Sequence, residues 1–251
     1  MSKSFRILNS NLNAIFSFRK YIWIFSIFIF ILIFKIDNLY NESNSLQCIK
    51  IMFYGPINLS DNTGEVFIWS IYQFYLLYIV GDYIFKEFSM RNTYTIGRIG
   101  SKTKWNSYMQ ISIFLTCIIY YFFGFVIEMM GMIILNKSIS SVDILNILNI
   151  FLILTISSYF IATTYYIILL IHKNHSLAFI MIVIYAYLSI MFGAALNIDI
   201  FLPINHGILS KHYFVSFGFG ISYLYLGILI IINLIIINKI MSKKDIVYYM
   251  N

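Results

Sequence analysis

Few side chains of this 251-residue sequence are suited to chemistry, and those few lie far apart. Asp82 and Glu128 are carboxylic acids inside long apolar runs, where an ionised group is costly and is therefore a candidate for function. Asp82 precedes Lys86 by one helical turn, and this spacing predicts a local ion pair. Glu128 must face protein, water or a translocation path. We expect it either to line a path or subunit interface or to be a buried, hydrogen-bonded structural group.

Histidine and cysteine do not complete a reactive set. His172 and His175 have no Cys or carboxylate near them in the sequence, which favours two interfacial polar residues over a metal pair. Cys117 lies about 14 Å into its apolar run by helical rise, too deep to pair with His172 as nucleophile and base. The sequence also lacks the Gly-x-x-x-x-Gly-Lys-Ser/Thr, His-Glu-x-x-His and Gly-x-Ser-x-Gly motifs. We therefore expect no catalytic, cofactor or metal site in this chain.

Six long apolar runs contain most of these residues and dominate the sequence. A helix needs about 20 apolar residues to cross a bilayer. The runs are continuous rather than alternating, which favours helices over strands. The sequence is 61% hydrophobic and 11% charged, whereas soluble domains are about 25% charged. We predict an all-α, polytopic membrane protein, with residues 1–251 forming a single transmembrane domain. Its spans are predicted at about 21–36, 66–85, 108–135, 144–171, 177–196 and 217–237.

The distribution of basic residues predicts the orientation. If the N-terminus is inside, 13 of the 17 Lys and Arg residues fall on the inner side and 4 on the outer side. Basic residues are enriched in cytoplasmic loops, so both termini are expected in the cytoplasm. The net charge of +7 is therefore interpreted as a topology signal and not as a nucleic-acid surface.

The segments outside the spans have distinct compositions. Residues 4–18 have helically spaced apolar side chains and predict an amphipathic helix in the inner interface. Residues 37–65 are rich in Asn, Ser, Asp and Gly and predict an irregular, exposed outer loop. Residues 86–106 form the most polar inner stretch. Residues 197–216 mix polar and apolar side chains and predict short helices lying in or dipping into the outer interface.

This layout resembles a known family. The sequence Arg98-Ile99-Gly100-Ser101-Lys102-Thr103-Lys104-Trp105 looks like the inner loop of permease subunits of ABC transporters of the type-2 exporter class. The resemblance covers essentially the whole chain, and it is strongest to small Gram-positive bacterial permeases of the peptide or bacteriocin-immunity type. It implies that residues 86–106 form a cytoplasmic coupling segment that docks on a separate ATPase. The contact residues it implies are Arg91, Arg98, Lys102, Lys104 and Trp105.

The resemblance also implies a function and partners. The chain would be the permease subunit of an ATP-driven exporter in the bacterial cell membrane, moving an amphipathic peptide or lipid-like cargo. Its partners would be ABC ATPase subunits that bind the ATP, a second permease copy or paralogue, and membrane lipid, but no nucleic acid. The alternatives are a membrane-embedded enzyme (a protease or lipid transferase), a vitamin-binding membrane subunit and a secondary transporter.

Overall fold

The structure is a computed structural model that describes residues 3–42, 44–60, 62–91, 99–137, 141–215 and 218–243. Within these ranges the chain is helical and contains no strand. The long helices are α1 (Lys3–Ile15), α2 (Phe18–Phe34), α5 (Thr63–Lys86), α6 (Lys102–Ile134), α7 (Ser141–His172), α8 (His175–Leu196) and α10 (Phe219–Lys243). The short ones are α3 (Ile36–Asn41), α4 (Ser45–Met52), a π turn (Glu87–Arg91), two 3-10 turns (Asp199–Phe201 and Pro203–Gly207) and α9 (Leu209–Phe214).

The predicted all-α polytopic fold is confirmed. Helices α5, α6, α7, α8 and α10 are each long and apolar enough to cross a membrane. Helix α2 supplies a sixth span if it is taken together with α1, from which it is bent by 65°. The break falls at Phe16 and Ser17, and Ser17 has an extended backbone. The helix of the predicted first span therefore begins at Phe18, three residues before the predicted start.

Helix α7 is the centre of the bundle and packs against α4, α5, α6, α8 and α10. Helices α2 and α6 pack through two glycines of α6. A Cβ atom on Gly124 would lie 2.7 Å from the ring of Phe28, and one on Gly131 would lie 2.4 Å from Leu32. Only glycine admits these side chains, so the two helices approach closely along two turns.

We call the end of the bundle that holds residues 86–106 the inner end, and the end that holds residues 37–65 the outer end. The prediction that residues 37–65 are irregular and exposed is wrong. They include α3 and α4, and the side chains of Ile49, Met52 and Phe53 are fully buried. These three residues recur at the three- and four-residue spacing of one helical face, which turns α4 and the residue after it into the bundle.

The second outer segment, residues 197–215, also folds back onto the bundle. Its 3-10 turns pack against α7, α8 and α10. The prediction of short helices here is confirmed, although the segment is more buried than its mixed composition suggested. Asn205, His206 and Leu209 have essentially no exposed surface.

Candidate functional site

The inner ends of four helices meet at one aromatic and amide cluster. The π turn carries Phe88, whose ring packs edge-on against Trp105 of α6 with centroids 5.3 Å apart. Phe88 also contacts Tyr166 of α7 at 5.7 Å between ring centroids. Phe88 thus contacts both Trp105, near the other end of the predicted coupling segment, and helix α7.

Hydrogen bonds extend this cluster to α10. The hydroxyl of Tyr166 donates to Oδ1 of Asn106 over 3.0 Å. The amide of Asn106 in turn donates to Oδ1 of Asn238 over 2.7 Å. Asn106 is almost fully buried, so its amide depends on these partners. Helices α6, α7 and α10 are therefore joined at the inner end of the bundle. We call Phe88, Trp105, Asn106, Tyr166 and Asn238 the inner-end cluster.

The predicted coupling residues occupy different environments. Arg91 ends the π turn, and Arg98 lies outside the described residues. Lys102 is half-buried and Lys104 is exposed at the start of α6. Trp105 is only 2% exposed, so it anchors the segment within the bundle and does not present a surface. The role of these five residues in docking stays a prediction.

The start of α6 follows local sequence chemistry. Ser101 has an extended backbone, and its hydroxyl accepts a hydrogen bond from the backbone amide of Lys104 over 3.5 Å. This is the geometry of a helix N-cap. The helix therefore begins six residues before the apolar run and carries Trp105 into the bundle.

Asp82 forms the predicted ion pair with Lys86, with Nζ and Oδ1 2.9 Å apart. The same carboxylate binds a second cation that the sequence did not reveal. Nζ of Lys20, at the start of α2, lies 2.8 Å from Oδ2 of Asp82. The two residues are 62 positions apart, so only the packing of α2 on α5 brings them together.

Glu128 is fully buried between the two glycine contacts of α6 with α2. Neither of its carboxyl oxygens has a hydrogen-bond partner among the described residues. Lys35 lies close enough for the two charges to interact. However, the ammonium of Lys35 binds Oε2 of Glu65 at 2.8 Å and donates to the carbonyl of Met52. Glu128 is therefore a buried acid without a bonded counter-ion, and a role as a hydrogen-bonded structural group has no support in the described part of the chain.

Polar groups also meet in the middle of the bundle. The hydroxyl of Tyr121 on α6 donates to Oε1 of Gln73 on α5 over 3.0 Å. The amide of Gln73 donates to Oγ of Ser158 on α7 over 3.1 Å. All three side chains are buried, and the network satisfies their polar atoms where no water is at hand. It ties α5, α6 and α7 at mid-height.

A buried ion pair holds the second outer segment together. Nζ of Lys211 lies 2.8 Å from Oδ1 of Asp199, and both side chains are at most 5% exposed. Asn205 adds a hydrogen bond to the same carboxylate at 2.7 Å. The ring of His206 contacts Oγ of Ser222 and the carbonyl of Ile200, each at 2.8 Å. This cluster was not predicted from the sequence, because Asp199 and Lys211 lie in a segment whose composition is typical of a loop.

In the described ranges, no three His, Cys, Asp or Glu side chains lie close enough together to hold a metal ion. His175, one of the two histidines weighed as ligands, bonds the hydroxyl of Tyr165 through Nδ1. Its ring also stacks on Phe85 with centroids 5.9 Å apart. The ring of His175 thus contacts side chains of both α7 and α5.

No protein-family model, curated protein or solved structure matches this chain. Its function must therefore be argued from the geometry of its own residues. The inner-end cluster is the feature that connects a predicted cytoplasmic segment to most of the bundle.

Proposed function

We propose that the chain is the membrane-spanning permease subunit of an ATP-driven exporter of the ABC type-2 class. The sequence has no motif that would cradle ATP phosphates, so an active transporter of this design takes its energy from a separate ATPase. Its spans provide an apolar environment with few charges, which suits an amphipathic peptide or lipid-like cargo better than a sugar or small ion.

The observation that carries this proposal is the inner-end cluster. Phe88, just before the segment 92–98, and Trp105, just after it, pack against each other, and Phe88 also contacts Tyr166 of α7. A force applied to this segment from the cytoplasm therefore reaches α5, α6 and α7 together. The bond from Asn106 to Asn238 passes it on to α10. This is the mechanical connection that a coupling segment requires, because packed elements transmit movement as units.

Docking on the ATPase is tested by reversing charge on the coupling segment. The chain is purified together with a candidate ABC ATPase, as wild type and as the Arg98→Glu/Lys102→Glu variant. The variant is expected to bind the ATPase about tenfold more weakly, because it removes two cations from a polar docking surface. The matched control is Lys239→Glu, an exposed lysine at the inner end of α10, which is expected to bind normally. Equal binding by all three proteins, each shown to be folded by its melting temperature, would contradict the proposal.

A secondary transporter is the second candidate, and Glu128 is the observation that favours it. Ionisable residues within spans commonly mark proton or ion pathways, and Glu128 has no bonded counter-ion among the described residues. The two functions differ in their energy source. Transport by the chain alone in vesicles, driven by a pH gradient and lost in Glu128→Gln, would favour the secondary transporter. Transport that depends on the ATPase and on ATP would favour the exporter.

A further inference from the structure

An apolar groove runs along α5 between α2 and α8. Its volume is about 530 Å³, and its lining includes Trp23 and Ile27 of α2 and Phe179 of α8. The floor is formed by α5, from Ser70 to Tyr78. The groove opens sideways from helices that are expected to stand in lipid.

The α2 side of the groove leads to a positive charge. Trp23 and Ile27 lie on the same helical face as Lys20, at spacings of three and seven residues. Arg19, one turn before Trp23, is exposed. A ligand that extends along α2 towards the inner end therefore reaches two cations, Arg19 and Lys20, where the apolar lining ends.

The α5 side leads to the same place. Ile71, Tyr75 and Tyr78 line the groove, and Asp82 continues their face one turn further on. Asp82 is the carboxylate that binds Lys20 at 2.8 Å. The lining faces of α2 and α5 thus lead to the same ion cluster at the inner mouth of the groove.

This ion cluster carries a surplus of positive charge. The ammonium groups of Lys20 and Lys86 both bind Asp82, at 2.8 and 2.9 Å. Two cations share one carboxylate, so one positive charge is left uncompensated within the cluster. The side chain of Lys86 is 56% exposed, which leaves its ammonium accessible to an anion from outside.

The length of the groove matches one leaflet of a bilayer. Ser70 and Asp82 are twelve positions apart on α5, which corresponds to about 18 Å along the helix. Half of a bilayer core is about 15 Å thick. A lipid with its headgroup at the ion cluster, level with Asp82, would therefore extend its acyl chain to about Ser70.

We propose that this groove is a binding site for one anionic phospholipid of the inner leaflet. The phosphate lies against Lys20 and Lys86, and one acyl chain fills the apolar part of the groove. The surplus positive charge selects an anionic headgroup over a zwitterionic one, and the apolar walls distinguish a lipid from free phosphate. A second copy of the same surface would place like charges against each other. The proposal does not depend on the function proposed above.

Lipid retention tests the headgroup contact. The chain is reconstituted in vesicles of equal parts phosphatidylglycerol and phosphatidylcholine and extracted in mild detergent. The lipids that remain bound are then identified by native mass spectrometry. Phosphatidylglycerol is expected to be retained in preference, and Lys86→Gln is expected to lower this preference about fivefold, as for the loss of one basic residue at a membrane surface. Lys239→Gln, which removes an exposed inner lysine on α10, is expected to leave the preference unchanged.

The groove itself is tested by filling it and by labelling it. Ile71→Trp is expected to reduce retention of phosphatidylglycerol while the ion cluster remains intact. Because a tryptophan at this position can disturb folding, a photoactivatable acyl chain on phosphatidylglycerol provides a second measurement on the wild-type chain. Its cross-links are expected on residues 70–78, within the lining of the groove.

Any of five outcomes would overturn the proposal. These are equal retention of the two lipids, an effect of Lys239→Gln as large as that of Lys86→Gln, and cross-links concentrated on α10. The fourth is displacement of the lipid by excess inorganic phosphate, which would indicate a site for the free anion. A dimer that contains no lipid and buries residues 70–78 would also contradict the proposal, because a second copy of the chain would then occupy the groove.

Discussion

The backbone amide of Ser210 donates a hydrogen bond to the carbonyl oxygen of Tyr54 over 2.7 Å. The hydroxyl of Ser210 donates to the carbonyl of Pro56 over 2.9 Å. These bonds join the two outer segments, which are more than 150 residues apart in the sequence. The outer end of the bundle is therefore closed by a bonded pair of segments, and its stability can be tested by single substitutions.

Gly207 is expected to be the point where the second outer segment packs most tightly against α7, at Ser157. A Cβ atom there would lie 2.4 Å from Oγ and 2.5 Å from Cβ of Ser157. Gly207→Ala is expected to lower the free energy of unfolding by about 1–3 kcal/mol, the usual cost of overpacking. The measurement is the melting temperature in detergent.

The matched control for this change is Gly227→Ala on α10, where a Cβ atom meets nothing within 4 Å. Alanine favours a helix interior over glycine by up to about 1 kcal/mol. The control is therefore expected to be neutral or stabilising. If both variants melt alike, Gly207 is not a close contact.

The ion pair between Asp199 and Lys211 is expected to show strong coupling in a double-mutant cycle. Removing one partner leaves the other charge buried, so Asp199→Asn and Lys211→Met are each expected to cost about 3–5 kcal/mol. The double variant is expected to cost clearly less than the sum. Lys239→Met, on an exposed lysine, serves as the control and should cost little. Additive single effects would show that the pair is not coupled.

His206 is expected to make stability depend on pH. Burial lowers the pKa of His206 below its ordinary value of 6.5, and the neighbouring His212 adds to this, while the hydrogen bond to Ile200 opposes it. As the pH falls below 6.5, the unfolded chain binds a proton that the folded chain does not, so stability present above this pH is lost. The slope due to this one group reaches at most about 1.4 kcal/mol per pH unit.

The pH dependence is measured as melting temperature between neutral and mildly acidic buffers. His206→Gln keeps a donor and an acceptor and leaves His212 in place, so it isolates the titration of His206. The variant is expected to be less stable at neutral pH but to have a flatter profile. An unchanged profile would assign the effect to another group.

Glu128 and Glu65 are expected to respond differently to the same change. Glu65→Gln removes the carboxylate that binds Lys35, and it is expected to cost about 1.5–3 kcal/mol, as for a hydrogen bond to a charged group. Glu128 has no such partner among the described residues, so Glu128→Gln is expected to leave the melting temperature equal or higher. A large loss of stability in Glu128→Gln would show that its carboxyl group is bonded in the native protein.

Asn238 is expected to affect coupling without affecting docking, if the chain is an exporter as proposed. Asn238→Ala removes the acceptor for the buried amide of Asn106 and so releases α10 from the inner-end cluster. ATPase binding should be unchanged, while ATP-dependent transport in vesicles is expected to fall about fivefold or more, the scale of a typical coupling energy. Lys239→Ala, at the next position, is the control. Equal transport by both variants would remove Asn238 from the coupling role.

The spans could be predicted because membrane crossing imposes a length. An apolar run at 66–85 indicated a helix that the structure places at Thr63–Lys86. The pair of Asp82 and Lys86 was also predictable, since residues four apart on a helix face each other. Local rules of this kind need only neighbouring residues.

Contacts between distant segments could not be predicted by the same rules. Lys35 was counted among outer basic residues, yet it is 2% exposed and bound to Glu65. Polar side chains in a loop suggest solvent exposure, but here the loop folds back and the polar atoms find partners inside. The one signal was the spacing of Ile49, Met52 and Phe53, which forms an apolar stripe in a segment that otherwise looks irregular.

The two glycines of α6 have a mechanical consequence. With Phe28 and Leu32 seated against Gly124 and Gly131, α2 cannot rotate or slide along α6 without a steric clash. About a third of α8 and a sixth of α10 are covered by the rest of the chain, against half for α5, α6 and α7. Helices α8 and α10 therefore turn most of their surface away from the bundle, whereas α2 is held against α6 by these two contacts.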